Sequence, residues 1–408
     1  MRILYVTAGF PFPLTSGYLR HYFLIRELAE QGHELTLLSL AAATHRPEHE
    51  AELAPFTEQI VAVPSLRRSG SRARKAASRL RRAAGLVDPS IRRLSEAAAE
   101  LTASARFDAV LFSGKKTAPA LAALPAGLPV VVDLCDATSS RLRSTIPYAS
   151  PGRKALLRLE CAEARRAERA LVERASHVTF ASRRDLEAFV AEHGSLAIPA
   201  TILPNGVDVD FWHRTTATLG PDAVVFTGAM DYPPNEDAAL RLVDSIMPLV
   251  WRQVPDATLT IVGRDPTPRL REAGTAERVT VTGFVDDVRP YLERAAVFAA
   301  PLRFGAGIQN KVLEAMAMEV PVVATPLAAG GLYVEDGRAP PIDEADGAEG
   351  LADLLVSALA FARSSGAPSR EGRLFVGDGF SWRAGGRRLE SLLLAAATAG
   401  RGARAAAR

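Results

Sequence analysis

Cysteine is nearly missing from this 408-residue chain. Only Cys135 and Cys161 occur, with no Cys-x-x-Cys pair, which excludes a cysteine-ligated zinc site and allows at most one disulfide. No apolar run approaches the ~20 residues that a membrane-spanning helix requires. Aromatic residues make up only 6 % of the chain and do not interleave with the basic runs, which argues against a nucleic-acid surface. The opening Met1-Arg-Ile-Leu-Tyr-Val reads directly as a strand and has no signal-peptide pattern, so the expected location is the cytoplasm. General disorder is excluded as well, because a composition of 48 % hydrophobic and 23 % charged residues supplies ample apolar surface. A chain of this length exceeds one ordinary core and suits two domains of similar size.

The net charge of +3 hides an uneven distribution. Between Leu66 and Arg93 there are ten Lys or Arg against Asp88 alone, a local net charge of +9. One reading is a solvated basic helix and loop. The other is a patch, including Arg79, Arg81 and Arg82, that docks on anionic lipid at the inner face of a membrane or on a phosphorylated, lipid-linked acceptor.

Strand and helix patterns alternate along the chain. Strand Arg2–Thr7 leads through a loop to helix Leu19–Gln31, closed by Gly32, and to strand Glu34–Leu40. Further strands are expected at Gln59–Val63, Ala109–Ser113, Val130–Leu134, His177–Ala181 and Thr201–Leu203. A second series runs from Ala223–Gly228 through helix Glu236–Gln253, strands Thr258–Val262 and Arg278–Gly283, helix Asp286–Ala295 and strand Val297–Pro301 to strand Val322–Ala324. Near-continuous apolar strands between helices imply parallel sheets covered on both faces, hence two doubly wound α/β domains facing each other across a cleft. The hinge is expected near Pro204-Asn-Gly-Val-Asp208, giving domains 1–203 and 204–382. A C-terminal helix at about 383–398 packs back on the first domain in this reading, and residues 400–408 form a disordered tail.

The richest stretch is Gly305-Ala-Gly-Ile-Gln-Asn-Lys-Val-Leu-Glu-Ala-Met-Ala-Met-Glu-Val-Pro-Val-Val-Ala-Thr325. It joins a glycine turn, an amphipathic helix and a buried strand. Counted from Gly307, residues Asn310, Lys311 and Glu314 fall on one polar stripe, while Ile308, Val312, Ala315 and Met316 form the apolar one. Glycines let backbone N–H groups approach an anion at the helix start, and Lys311 adds a full charge there. A diphosphate suits that end. Glu314 would sit about 10 Å further on, at 1.5 Å per residue, where a carboxylate can accept two hydroxyl hydrogen bonds.

The order of motifs resembles the retaining glycosyltransferases of the GT-B architecture, group 1, family 4. It is carried by Pro11-x-Pro13 with Ser16-Gly17, Gly32-His33-Glu34, Leu203-Pro-Asn-Gly-Val-Asp208, Phe226-Thr-Gly228, Ile261-Val-Gly263, Val281-Thr-Gly-Phe-Val285 and Leu313-Glu-Ala-Met-Ala317. The variant Gly307-Ile-Gln-Asn-Lys-Val-Leu-Glu-Ala-Met-Ala317 is most similar to the bacterial branch acting in exopolysaccharide assembly. The resemblance implies transfer of a sugar from a UDP-, GDP- or dTDP-sugar, a substrate rather than a cofactor, to an acceptor hydroxyl with retained configuration. It requires no metal and no Asp-x-Asp motif; Asp286-Asp287 reads as a helix cap. By the same resemblance Glu314 binds the ribose, Phe284 and Val285 lie against the base, and Gly307 and Ile308 approach the diphosphate or donor sugar. Gly228 lines the donor site, and Gly17 faces the diphosphate from the other domain.

Two departures matter. The family's first glutamate of an E-x7-E pair is Ala306 here, which leaves Gln309 or Asn310 to contact the donor sugar. Where many relatives carry an arginine and a lysine for the leaving diphosphate, this chain has Ala229 and Pro234, so Lys311 and Arg303 are the candidate cations. Asp133 and Asp136 follow a buried strand and are expected to project into the cleft, with a binding or catalytic role in orienting an acceptor or donor-sugar hydroxyl, or else to cap the loop and form the turn. Asp231 and Asn235 flank a Pro-Pro turn, with helix capping the alternative for Asn235; His21 and His33 read as structural. The acceptor is expected to be a lipid-linked saccharide in polysaccharide or glycoconjugate assembly. The alternatives are a small soluble aglycone, or a non-catalytic partner that retains only the nucleotide pocket.

Overall fold

Strand β1 (Arg2–Thr7) sends Leu4 and Val6 to one face of its sheet and Ile3 and Tyr5 to the other, as strand alternation requires. All four side chains are buried, so the sheet must be covered on both sides. The structure is a computed structural model describing residues 1–14, 18–65, 87–305, 308–333 and 338–406. The chain divides into two compact units, Met1–Pro204 with Trp382–Arg408, and Asn205–Ser381.

The first unit is a seven-stranded parallel sheet in the order β3-β2-β1-β4-β5-β6-β7. Its other strands are β2 (Glu34–Ala41), β3 (Gln59–Pro64), β4 (Ala109–Ser113), β5 (Val130–Cys135), β6 (His177–Phe180) and β7 (Ala200–Ile202). One face packs Leu4, Phe112, Val132 and Phe180 against Leu94 and Ala98 of helix Pro89–Ser104 and Leu171 of helix Pro151–Arg174. The other packs Ile3, Tyr5, Leu37 and Leu111 against Leu24 and Leu28 of helix Leu19–Glu30 and against Leu389 and Leu393. These last two belong to helix Trp382–Ala406, which opens with Trp382 stacked on Phe23 at 4.9 Å.

The second unit is a six-stranded parallel sheet, β10-β9-β8-β11-β12-β13. Its strands are β8 (Ala223–Thr227), β9 (Thr258–Val262), β10 (Val279–Val281), β11 (Val297–Ala300), β12 (Val322–Ala324) and β13 (Asp343–Glu344).

Three expectations need correction. The last helix continues to Ala406, past the Gly400 at which the sequence reading began a disordered tail. The helix expected over Glu236–Gln253 starts at Pro233 and contains a π turn at Leu242–Ile246, just before Pro248. Proline has no N–H and its ring crowds the carbonyl four residues earlier, so a widened turn relieves the clash. The helix counted from Gly307 begins at Asn310, because Gln309 takes an extended N-cap conformation.

Truncating Leu389, at 0 % exposure, removes side-chain contacts with the first sheet. Leu389→Ala should cost about 2–4 kcal/mol in denaturant unfolding, while the exposed Leu394→Ala should stay within about 0.5 kcal/mol.

Candidate functional site

In the second unit the chain moves outward from β8 to β9 and β10, then returns to place β11 on the other side of β8. The strand order therefore reverses between β8 and β11, and loops leaving their carboxyl ends diverge. Ligands of open parallel sheets bind in the crevice this creates. Gly228 follows β8, and the turn containing Arg303, Phe304 and Gly305 follows β11.

Close backbone packing shapes this crevice. A Cβ on Gly263 would fall 1.7 Å from the Gly228 carbonyl oxygen, so only glycine fits beside that loop. A Cβ on Gly228 would fall 2.6 Å from Asn235 Nδ2 and 3.1 Å from Lys311 Nζ. Gly228 thus clears the space that the lysine head occupies.

Lys311 is the centre of the arrangement. Its ammonium donates to Asn235 Oδ1 and lies 4.8 Å from the centroid of the Phe226 ring. Asn235 is fixed by donating its Nδ2 to the Ala229 carbonyl at 2.9 Å. One helical turn later, the Glu314 carboxylate takes no hydrogen-bond or ion-pair partner among the described residues. Burial lowers the Lys311 pKa, Glu314 partly restores it, and it settles at about 7. Burial raises the Glu314 pKa, Lys311 opposes this, and it too settles at about 7. A cation short of solvation and an unpartnered carboxylate sit on one face of one helix, ready for an anion and for hydroxyls respectively.

The other expected residues differ in exposure and partners. Phe284, after β10, is 72 % exposed and follows Gly283 at φ 71°, so its ring is available for stacking; Val285 is half-buried. Gln309 and Asn310 are half-buried at the helix start, where Asn310 Oδ1 accepts from Asn205 Nδ2 at 3.1 Å. Ile308 is buried, leaving its backbone rather than its side chain for a ligand. With the helix starting at Asn310, the rise to Glu314 is about 6 Å rather than about 10 Å. Arg303 is half exposed and its Nε donates to Asp237 Oδ2 at 2.9 Å, so Asp237 already balances its charge. Asp231 is exposed, 3.7 Å from Arg264, and Asp287 accepts from the Arg289 backbone N–H at 2.9 Å. Gly17, Ala306 and Gly307 lie outside the described residues, as does segment 66–86 of the basic run.

The two aspartates of the first unit differ from expectation. Asp133 does not project: it is 2 % exposed and takes Nε of Arg20 at 2.8 Å, Nη2 at 2.9 Å and the Thr179 hydroxyl at 2.8 Å. Burial opposes its ionisation, yet the Arg20 guanidinium prevails and holds the carboxyl below its usual range. Its position inside β5, rather than after the strand, is the reason. Asp136, just past the strand end, is bound by Lys115 at 2.6 Å, Thr138 at 2.6 Å and Arg141 at 2.8 Å. Burial again opposes ionisation, and Lys115 followed by Arg141 overcomes it. His21 meets the Tyr5 hydroxyl at 2.7 Å, and burial lowers its pKa to about 4. His33 bridges the N-terminal amine and Glu390.

Sequence reasoning missed two groups. Asn235, for which the sequence suggests a helix cap, instead holds Lys311; its place directly after Pro233-Pro234, which fixes the helix start, is the available signal. Lys115 was overlooked, although a Gly-Lys-Lys run after a buried strand marked a cation at a carboxyl end.

Comparisons with known proteins bear on the family and the fold. The family profile "Glycosyl transferase 4-like domain" matches residues 21–206, and "Glycosyl transferases group 1" matches residues 221–360. The chain is 30 % identical over 253 residues to the GDP-mannose-dependent alpha-(1-6)-phosphatidylinositol monomannoside mannosyltransferase of Mycolicibacterium smegmatis, spanning 56 % of this chain and 65 % of that protein. It is 33 % identical over 177 residues to the phosphatidyl-myo-inositol mannosyltransferase of Mycobacterium tuberculosis H37Rv, spanning 40 % and 46 %. The matches therefore span less than two thirds of these curated relatives. Among solved structures, Anabaena HepE in complex with UDP-glucose superposes with a TM-score of 0.67 at 14 % identity, covering 97 % of this chain and all of that one. Sucrose-phosphate synthase from Thermosynechococcus elongatus gives 0.67 at 17 %, covering 96 % and 98 %. The shared fold is GT-B.

The titration of Glu314 yields a stability test. Its carboxyl ionises near 4.5 when unfolded and near 7 when folded, so folding loses stability as pH rises through that window and carries the full penalty above it. Above 7 Lys311 is itself largely neutral and offers little compensation. Glu314→Gln should therefore raise the unfolding midpoint at about pH 8, with the gain fading as pH falls toward 4.5.

Proposed function

We propose that this chain, which belongs to the group 1, family 4 glycosyltransferases of GT-B fold, moves a sugar from a nucleotide-sugar donor to an acceptor hydroxyl with retained configuration. The observation that carries this reading is the Lys311–Glu314 pair at the β8/β11 reversal, with Asn235 steering the lysine. The Lys311 ammonium meets the diphosphate, Glu314 accepts from the ribose hydroxyls, and the exposed Phe284 stacks on the base. Gly228 and Ile308, with Gly307 as the family resemblance implies, offer backbone to the diphosphate, and Gln309 or Asn310 contacts the sugar.

The chemistry is electrostatic. The donor C1–O bond breaks, the acceptor oxygen attacks C1 from the same face, and the acceptor proton passes to the departing phosphate oxygen. Lys311 stabilises the charge that grows on that oxygen, with Arg303 the second candidate cation. Binding a diphosphate restores the Lys311 proton, because the new anion counters the burial that lowers its pKa. Asp133 and Asp136 serve the acceptor side indirectly in this reading, by holding Arg20 and Lys115 in place.

Relatives named as mannosyltransferases of phosphatidylinositol lipids make GDP-mannose the first donor and a lipid-linked, polyhydroxylated headgroup the first acceptor to test. Peripheral contact with a membrane through the basic run 66–93 fits such an acceptor, and Arg92 and Arg93 are exposed at its described end.

Thermal shift with GDP-mannose and UDP-glucose should stabilise the parent protein with one of them, by about 2.7 kcal/mol at a hundredfold excess over Kd. Glu314→Ala should weaken that donor roughly tenfold or more, through loss of charge-assisted hydroxyl contacts. Lys311→Ala should lower turnover by roughly two to three orders of magnitude. Unchanged donor affinity in the first variant together with unchanged turnover in the second would remove the assignment.

A further inference from the structure

The 24-residue helix Pro151–Arg174 is longer than its sheet is deep. It spans about 36 Å, whereas the six residues of β5 span about 20 Å. Its carboxyl end must return to the amino edge of the sheet to enter β6, which runs parallel to β5. Its opening turns therefore project past the carboxyl edge, the edge at which ligands of such sheets bind. Together with helix Thr138–Thr145, and with the turn Ile146–Tyr148 between them, they form a helical hairpin whose tip stands clear of the core.

The composition of this arm is one-sided. Between Asp136 and Glu160 the chain carries five cations, Arg141, Arg143, Arg153, Lys154 and Arg158, and no carboxylate. Arg141, Arg143 and Arg153 reach carboxylates at or beyond the ends of this stretch. Lys154 and Arg158 have no ion-pair partner among the described residues. Beside them Tyr148 is 59 % exposed at the tip and Leu159 is 63 % exposed two turns along. An aromatic ring and an aliphatic side chain in solvent amid excess positive charge suit the boundary of an anionic bilayer, where rings settle at headgroup depth and cations meet lipid phosphate. No helix among the described residues is long and apolar enough to cross a membrane, so such contact is peripheral.

We propose that this hairpin tip docks on an anionic phospholipid surface and presents the carboxyl edge of the first sheet to a lipid-borne acceptor. The proposal rests on the transferase reading for its purpose, but its physical test is independent. The full chain is sedimented with phosphatidylcholine vesicles, with and without phosphatidylglycerol, at low and high salt. Donor hydrolysis in vesicle-free buffer serves as the fold control. The parent protein should bind only the anionic vesicles. Lys154→Glu with Arg158→Glu should lower partitioning roughly tenfold or more at low salt, since each cation contributes about fivefold. Tyr148→Ser with Leu159→Ser should lower it at both salt concentrations, because apolar insertion is not screened. Both variants should keep parental donor hydrolysis.

If both variants sediment like the parent while neutralising Arg79, Arg81 and Arg82 abolishes binding, the arm is not the docking element. A parent protein that ignores anionic vesicles overturns the proposal equally. Loss of a dimer in the Tyr148/Leu159 variant, seen by size exclusion, would make a second copy the occupant and overturn it too. Vesicle binding that follows this pattern without any donor turnover would instead count against the transferase reading and leave the docking intact.

Discussion

An ammonium group held short of full hydration governs the second unit. Lys311 sits over the Phe226 ring with Asn235 as its oriented acceptor, and Glu314 on the next turn lacks a partner of its own. Neither charge is comfortable alone, since burial drives both toward neutrality near physiological pH. Their chemistry is complementary: the cation suits an anion, and the carboxylate suits hydroxyl donors. The glycines at 228 and 263 are explained by the same need, for any side chain there would occupy the ground of the lysine head or of the neighbouring loop.

The first unit handles charge in the opposite way. Asp133 and Arg20 are paired bidentately inside the core, and Asp136 is saturated by Lys115, Thr138 and Arg141. Breaking either set leaves a buried charge uncompensated; the first ties helix Leu19–Glu30 to β5, and the second ties Lys115 and Arg141 to the residue after β5. Glu168, fully buried, extends the lattice to Ser139 and His193 and ties helix Pro151–Arg174 to the residues following β5. Rigid support beneath one unit accompanies an open pair of charges in the other.

Much of this was legible in the residues. Apolar strands separated by amphipathic segments announced both sheets, because burial on two faces leaves a continuous apolar run. The stripe Asn310–Lys311–Glu314 marked the helix of the candidate site, because period 3.6 places those side chains together. Three things were hidden. The start of that helix shifted because Gln309 is extended, which side-chain periodicity does not signal. The fate of Asp133 depended on Arg20, 113 residues away, and pairing over such separations leaves no local trace. The role of Asn235 was equally non-local, since its partner lies 76 residues on.

The first unit is discontinuous: its sheet comes from Met1–Pro204, while Leu389 and Leu393 come from the last helix. During synthesis, therefore, the earlier-made sheet waits with one face covered by helix Leu19–Glu30 alone, whereas the second unit has all of its own strands before the last helix is made. The order of completion is the reverse of the order of translation. A chain lacking the last helix displays the part of the Ile3, Tyr5 and Leu111 face that Leu389 and Leu393 cover, a surface suited to chaperone capture.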